Sequence, residues 1–134
     1  ERALKEGRIK LKEAEVNRCT ITYHDPCHLG RAGGVYEAPR FVLASVPGIR
    51  LVEMERNREN SACCGSGGGV KTARPSLSIT IGSTRLRMVQ ATGANEVVSC
   101  CPWCEQNLED SIKAGGYPAW RVRDLVDIIS AALE

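Results

Sequence analysis

The chain contains no apolar run of about 18 residues, so no segment reads as a membrane-spanning helix. It has no basic segment leading into an apolar stretch and a small-residue cleavage site, so no secretory signal is legible. Charge of one sign is also missing: a formal net charge of +2 gives no support for nucleic-acid binding. Internal duplication and low-complexity tracts are absent. An initiating methionine is absent too, and a chain that begins at Glu1 is expected to be a piece of a longer protein. The remaining composition, 43% apolar and 25% charged over 134 residues, is that of one soluble globular domain able to bury its own core.

Cysteine is what the chain does have. Seven cysteines are an odd count that disulfides alone would leave with one thiol unpaired. Their uneven clustering favours metal binding or catalysis over stapling, in a reducing cytoplasm. The central cluster is Cys63-Cys64-Gly65-Ser66-Gly67-Gly68-Gly69. Neighbouring side chains of an extended chain point apart, so two adjacent thiols can face one centre only where the backbone turns, and glycine permits that turn. The pair sits midway between Cys27 and Cys101-Pro102-Trp103-Cys104, with 35 residues intervening on one side and 36 on the other.

Periodicity places these cysteines. Residues 18–25 alternate, with Cys19, Ile21 and Tyr23 on one face, and predict a strand ending at Asp25-Pro26. Residues 49–55 predict a second strand and 95–101 a third, with a short fourth over 119–122. Pro39, Pro75 and Pro102 suit helix starts. The second of these helices runs to about Thr92, with Leu77, Ile81, Leu86 and Val89 as candidate buried positions. Trp103–Ala114 forms the next helix, and Asp124 N-caps a last one. Residues 1–17 read as a charged helical tail or linker, and 18–134 as the cysteine-rich domain. The order predicts an α/β, Rossmann-like layered domain with a small, mainly parallel sheet of about four strands flanked by helices.

In a parallel sheet, Cys27, Cys63, Cys64, Cys101 and Cys104 all follow strand ends on one edge, where open α/β folds bind ligands. Cys19 falls at the far end of its strand. Cys100 points to the face opposite Cys101, as a small buried hydrophobe. Five thiols exceed by one the needs of a zinc site built from four cysteines and of an ordinary four-cysteine iron–sulfur cluster. Helix N-termini beside Cys104 and after the glycine loop, with Lys71, Arg74 and Arg31 nearby, offer positive potential. His24 and His28 flank Cys27 and are candidate proton or hydrogen-bond donors. The glycine loop lacks the Lys-Ser/Thr ending of a phosphate loop and the dinucleotide spacing. A metal-free thiol–disulfide exchanger built on Cys101 and Cys104 remains open.

The spacing Cys-x35-Cys-Cys-Gly-x35-Cys-x-x-Cys, with Tyr23-His24-Asp25-Pro26-Cys27-His28, resembles the CCG (cysteine-rich) domain of heterodisulfide reductase over residues 18–133. Similar domains occur in iron–sulfur subunits of lactate and glycolate oxidation complexes and of anaerobic glycerol-3-phosphate dehydrogenase. The resemblance implies a non-cubane [4Fe-4S] cluster held by Cys27, Cys63, Cys64, Cys101 and Cys104. It implies electron transfer, reductive cleavage of a small disulfide such as that between coenzymes M and B, and partner subunits or domains of an iron–sulfur redox complex. Cytoplasmic location follows, with membrane association through those partners. Family proteins usually carry two such domains and ferredoxin-type cysteine runs, whereas this chain has one domain and no such run, so a complete active site is not expected on it alone. Some domains of the family are thought to hold zinc in a structural role, which stands as the alternative.

Overall fold

A computed structural model describes residues 1–94 and 96–134, so the first residue of the strand expected over 95–101 lies outside the described residues. Four short strands form the sheet: β1 (Cys19–Tyr23), β2 (Ile49–Val52), β3 (Glu96–Ser99) and β4 (Arg121–Asp124). Every pairing is parallel, in the order β2-β1-β3-β4. The helices are α1 (Arg2–Lys5), α2 (Glu37–Ala44), α3 (Val70–Ala73), α4 (Pro75–Ala91), α5 (Pro102–Gly115) and α6 (Leu125–Ala132). This is the α/β layering that the alternating pattern predicts.

The sheet separates two cores. One joins Met54, Leu86, Val89, Val97, Leu108 and Ile112, between the sheet and α4 and α5. The other joins Ile21, Tyr23, Leu43, Val46, Val98, Ile128 and Ala132, on the side of α2 and α6. Adjacent Val97 and Val98 thus serve opposite cores, as period 2 demands. Cys100 packs on the second core and Cys101 on the first, as the alternation predicts. Thr22 is fully buried because a central parallel strand is covered on both faces.

One reading of the pattern needs correction. Leu77 is half exposed. The buried stripe of α4 is Ser78, Gly82, Arg85, Leu86 and Val89, largely small or polar, so an apolar periodicity missed three of its five members. The helix itself is continuous from Pro75 to Ala91, as expected. Before α4, Val70–Ala73 forms a separate turn of helix that has no apolar period of its own. The N-terminal stretch is not free along its whole length. Leu11 bridges Leu133, and the buried Asn17 donates to the Ile128 carbonyl at 3.1 Å.

The turn leaving β1 is anchored by charge. Asp25, almost wholly buried, receives both terminal nitrogens of Arg40 at 2.7 and 2.9 Å and the Arg58 amide at 2.8 Å. Arg40 also grips Glu53. One carboxylate therefore ties the loop after β1 to α2 and to the loop after β2. Burial pushes the Asp25 pKa up, but Arg40 and the Arg58 amide outweigh it and hold it below the ordinary 3.8.

Replacing Arg40 by Met leaves that carboxylate buried and unpaired, and is expected to cost about 3–5 kcal/mol in urea unfolding at neutral pH. The depressed Asp25 pKa contributes stability in full above the unfolded value near 3.8 and loses it as pH falls through the folded value. Asp25→Asn should accordingly flatten the acid limb of the stability profile below pH 3.8. An unchanged acid limb would show that the pair does not carry it.

Candidate metal centre

The carboxyl ends of β1, β2 and β3 share one edge, and the cysteine loops leave from it. Cys27 follows β1 at the head of a wide helical turn, His28–Ala32, and is exposed. Cys63 and Cys64 lie in the loop after β2, the first exposed and the second buried. Cys101 is the N-cap of α5, and Cys104 sits buried in the first turn of that helix, where the helix dipole favours negative charge. The edge lies beside the switch between β1 and β3, where successive connections pass to opposite faces of the sheet.

A cavity of about 190 Å³ opens there, lined by Cys27, Cys63, Cys64 and Cys104 together with His24, Arg31 and Arg58. Cys101 is packed behind it, against the core that includes Cys64 and Cys104. A larger concavity of about 900 Å³ lies at the end of α5 and β4 and contains no cysteine. Inside the smaller one, a ring nitrogen of His24 and the sulfurs of Cys64 and Cys104 lie within 4.8 Å of one another, all buried. The Cys63 thiol adjoins that of Cys64, and Cys64 adjoins Cys104.

Gly65 makes the adjacency possible. Its φ is +91°, and an added Cβ would stand 2.6 Å from the Ser78 carbonyl oxygen and 2.9 Å from Ile81 on α4. Its amide donates to the Cys63 sulfur at 3.3 Å. Asn107, one turn beyond Cys104 on α5, holds the loop from the other side. Its amide nitrogen donates to the Cys64 carbonyl at 2.7 Å and to the Ser78 carbonyl at 3.1 Å. Its oxygen accepts from Ser78 Oγ at 2.7 Å and from Lys71 Nζ at 2.8 Å.

Cys63 and Cys64 disfavour ionisation in the bare chain. Cys64 is pushed up to about 11 by the Cys104 thiol and by burial, and Cys63 is pushed up by Cys64 and by burial. Metal binding there must expel protons. His24 is pushed down to about 3 by burial and by the Arg85 guanidinium, so it is neutral. Arg85 is fully buried, and burial pulls its pKa down to about 10. The donor set suits a thiophilic group: sulfurs at one cavity, a backbone amide already bonded to sulfur, and a buried Ser66 hydroxyl without a partner among the described residues.

Of the two histidines flanking Cys27, His24 is brought to the thiols, while His28 is exposed and outside the cavity lining. Lys71 is engaged by Asn107 and Asp110 rather than by sulfur. Arg31 lines the cavity and donates to the carbonyls of Glu59 and Ser61. Cys19 lies at the opposite end of β1, its thiol donating to Glu96 at 3.5 Å. Sequence reasoning missed Asn107 and Arg85. Asn107 had a signal, standing three residues after Cys104 and so on the same helical face.

The family model described as the cysteine-rich domain, CCG, matches residues 21–109. The chain is 44% identical over 133 residues to one subunit of the dihydromethanophenazine:CoB–CoM heterodisulfide reductase of Methanosarcina mazei, covering 97% of this chain and 31% of that protein. It is 36% identical over 124 residues to one subunit of the fumarate reductase (CoM/CoB) of Methanothermobacter marburgensis, covering 92% and 24%. An uncharacterized iron–sulfur protein of Methanococcus maripaludis is 40% identical over 109 residues, covering 81% and 21%. The chain thus spans less than a third of the length of each of these relatives.

Gly65→Ala must bring a side chain into left-handed backbone and into α4. Denaturant unfolding should register a loss of about 2–5 kcal/mol. Gly67→Ala, where an added Cβ meets nothing within 4 Å, should stay within about 0.5 kcal/mol of the parent. Equal effects at the two sites would contradict the assigned role of Gly65.

Proposed function

The chain belongs to the CCG cysteine-rich domain family, and from that premise we propose that it is an iron–sulfur redox domain of a heterodisulfide reductase-like oxidoreductase. In this reading Cys27, Cys63, Cys64, Cys101 and Cys104 hold a [4Fe-4S] cluster of non-cubane type. The observation that carries it is the convergence of thiols from three successive strand ends on one small cavity, with the adjacent Cys63 and Cys64 beside Cys104. A four-ligand site has no need of a fifth thiol at this edge, whereas the family's cluster implies one. When bound, such a cluster supplies one-electron chemistry at a sulfur-rich centre.

The protein's own groups define how that centre is reached. Cys27 and Cys63 are exposed at the mouth, while Cys64 and Cys104 are buried behind them. A small disulfide or a partner's redox group therefore approaches from the Cys27–Cys63 side. Arg31, on the cavity wall and bonded only to carbonyls, favours an anionic visitor there. The Gly65 amide hydrogen-bonds to the Cys63 sulfur and favours its thiolate over its thiol. The electron donor and the rest of the active site are assigned to other segments or subunits, given the small share of each relative that this chain spans. No described helix is long and apolar enough to cross a membrane, and we place the domain in the cytoplasm, with membrane association through partner subunits. Residues 1–17 are assigned as the lead-in to the domain at 18–134.

A second reading, a zinc-holding structural module, is favoured by one observation: four of the five cysteines, Cys27, Cys63, Cys64 and Cys104, line one cavity, the number of thiolates a structural zinc takes.

Protein prepared and reconstituted without oxygen separates the two. Iron and acid-labile sulfide near four of each per chain are expected for a [4Fe-4S] centre, about the four-iron stoichiometry its name states. Both should fall to background in Cys64→Ser and Cys27→Ser and persist in Cys100→Ser. Stoichiometric zinc with no sulfide under any condition would sink the iron–sulfur reading. Loss of iron in Cys100→Ser, with the fold intact by circular dichroism, would overturn the ligand assignment.

A further inference from the structure

Arg85 lies fully buried on α4, and none of its hydrogen-bond partners carries a charge. Its Nε donates to His24 Nδ1 at 3.1 Å, one terminal nitrogen to the Arg56 carbonyl at 2.8 Å, and the other to Ser61 Oγ at 3.1 Å. Among the described residues no carboxylate lies within ion-pair distance of it; Asp25, which acts on it electrostatically, is already held by Arg40 and the Arg58 amide. Arg40 illustrates the contrast, since it is also buried but paired with two carboxylates. A buried cation left without a paired anion costs several kcal/mol, so a fold that keeps one is built around a negative charge that appears beside it only when the site is occupied. The sulfurs of Cys64 and Cys104 are the candidates: both act on Arg85 electrostatically, and both sit with His24 in the 4.8 Å cluster.

The same guanidinium settles what His24 can do. Because Nδ1 accepts the Arg85 N–H, the neutral ring carries its proton on Nε2. Neither nitrogen then has a lone pair free for a metal. Resting on the proposed thiolate metal centre, we propose that Arg85 is the fixed counter-charge of that centre and that, through Nδ1, it keeps His24 out of the ligand set. Arg85 is a positioning and charge-compensating residue, set behind the residues that line the cavity. The consequence is electrostatic. The Cys64 and Cys104 thiolates formed on metal binding gain a nearby cation in a buried site, and reduction of a bound cluster, which adds one negative charge, is favoured by the same cation.

Cobalt(II) titration of the metal-free chain under anaerobic conditions tests this without depending on iron, because thiolate-to-cobalt absorption reports sulfur ligation directly. The variants are Arg85→Gln, which removes the charge, Arg85→Lys, which keeps it while losing the planar fork, and His24→Leu. Arg85→Gln is expected to bind cobalt at least tenfold more weakly than the parent, with Arg85→Lys between them. The parent and His24→Leu should show the same ligand-field bands. In reconstituted protein, Arg85→Gln should lower the midpoint potential by about 59 mV or more, the one-electron equivalent of tenfold. Cobalt affinity and potential unchanged in a folded Arg85→Gln variant, or equal losses in the Lys and Gln variants, would overturn the counter-charge. A changed ligand-field spectrum in His24→Leu would make His24 a ligand and overturn the second half. Absence of iron and sulfide from the parent would defeat the iron–sulfur reading while leaving the cobalt result to decide this one.

Discussion

Parallel strand pairing is the constraint on which the rest depends. When every strand runs the same way, the chain emerges from each at one edge and must cross back before the next begins. Three loops that are separate in sequence are thereby neighbours in space, and each of them carries cysteine. The spacing of about one helix and one strand between cysteine groups is what a parallel crossover requires. An antiparallel arrangement of the same strands would send alternate loops to opposite ends and divide the thiols between them.

Convergence alone does not hold reactive loops in place, and the fold supplies buried polar contacts to do so. Asp25 joins the loop after β1 to α2 and to the loop before the cysteine pair. Asn107 fastens the Cys64 carbonyl to α4 and α5, using both its donor hydrogens and its acceptor oxygen. Gly65 lets the loop pass against α4 where any side chain would collide. These residues give up solvent for single, directed partners, and the cost of leaving any of them unpaired is what makes the geometry specific.

Much of this was legible from the residues. Period-2 alternation located β1, β2 and most of β3, and separated Cys100 from Cys101. Proline marked the starts of α4 and α5, and Asp124 caps α6 by accepting from the Val126 amide, as its position suggested. Where the reading failed, it failed on polar burial. Arg85 belongs to a helical stripe with Ser78, Gly82, Leu86 and Val89, but a search for apolar residues at that spacing selects Leu77 instead. Small and polar residues face inward there because α4 lies close against α5, where an added Cβ on Gly82 would collide with Ser111.

By itself the sequence determined the class of fold, the edge at which the cysteines meet and the family, because strand period, helix starts and cysteine spacing are local properties of the chain. Only the tertiary structure decided which charged residues are buried, which histidine reaches the thiols and what that histidine has left to offer. An arginine on a solvated face and Arg85 look alike in sequence. The difference lies in partners 61, 29 and 24 residues away, and in the removal of water from around them.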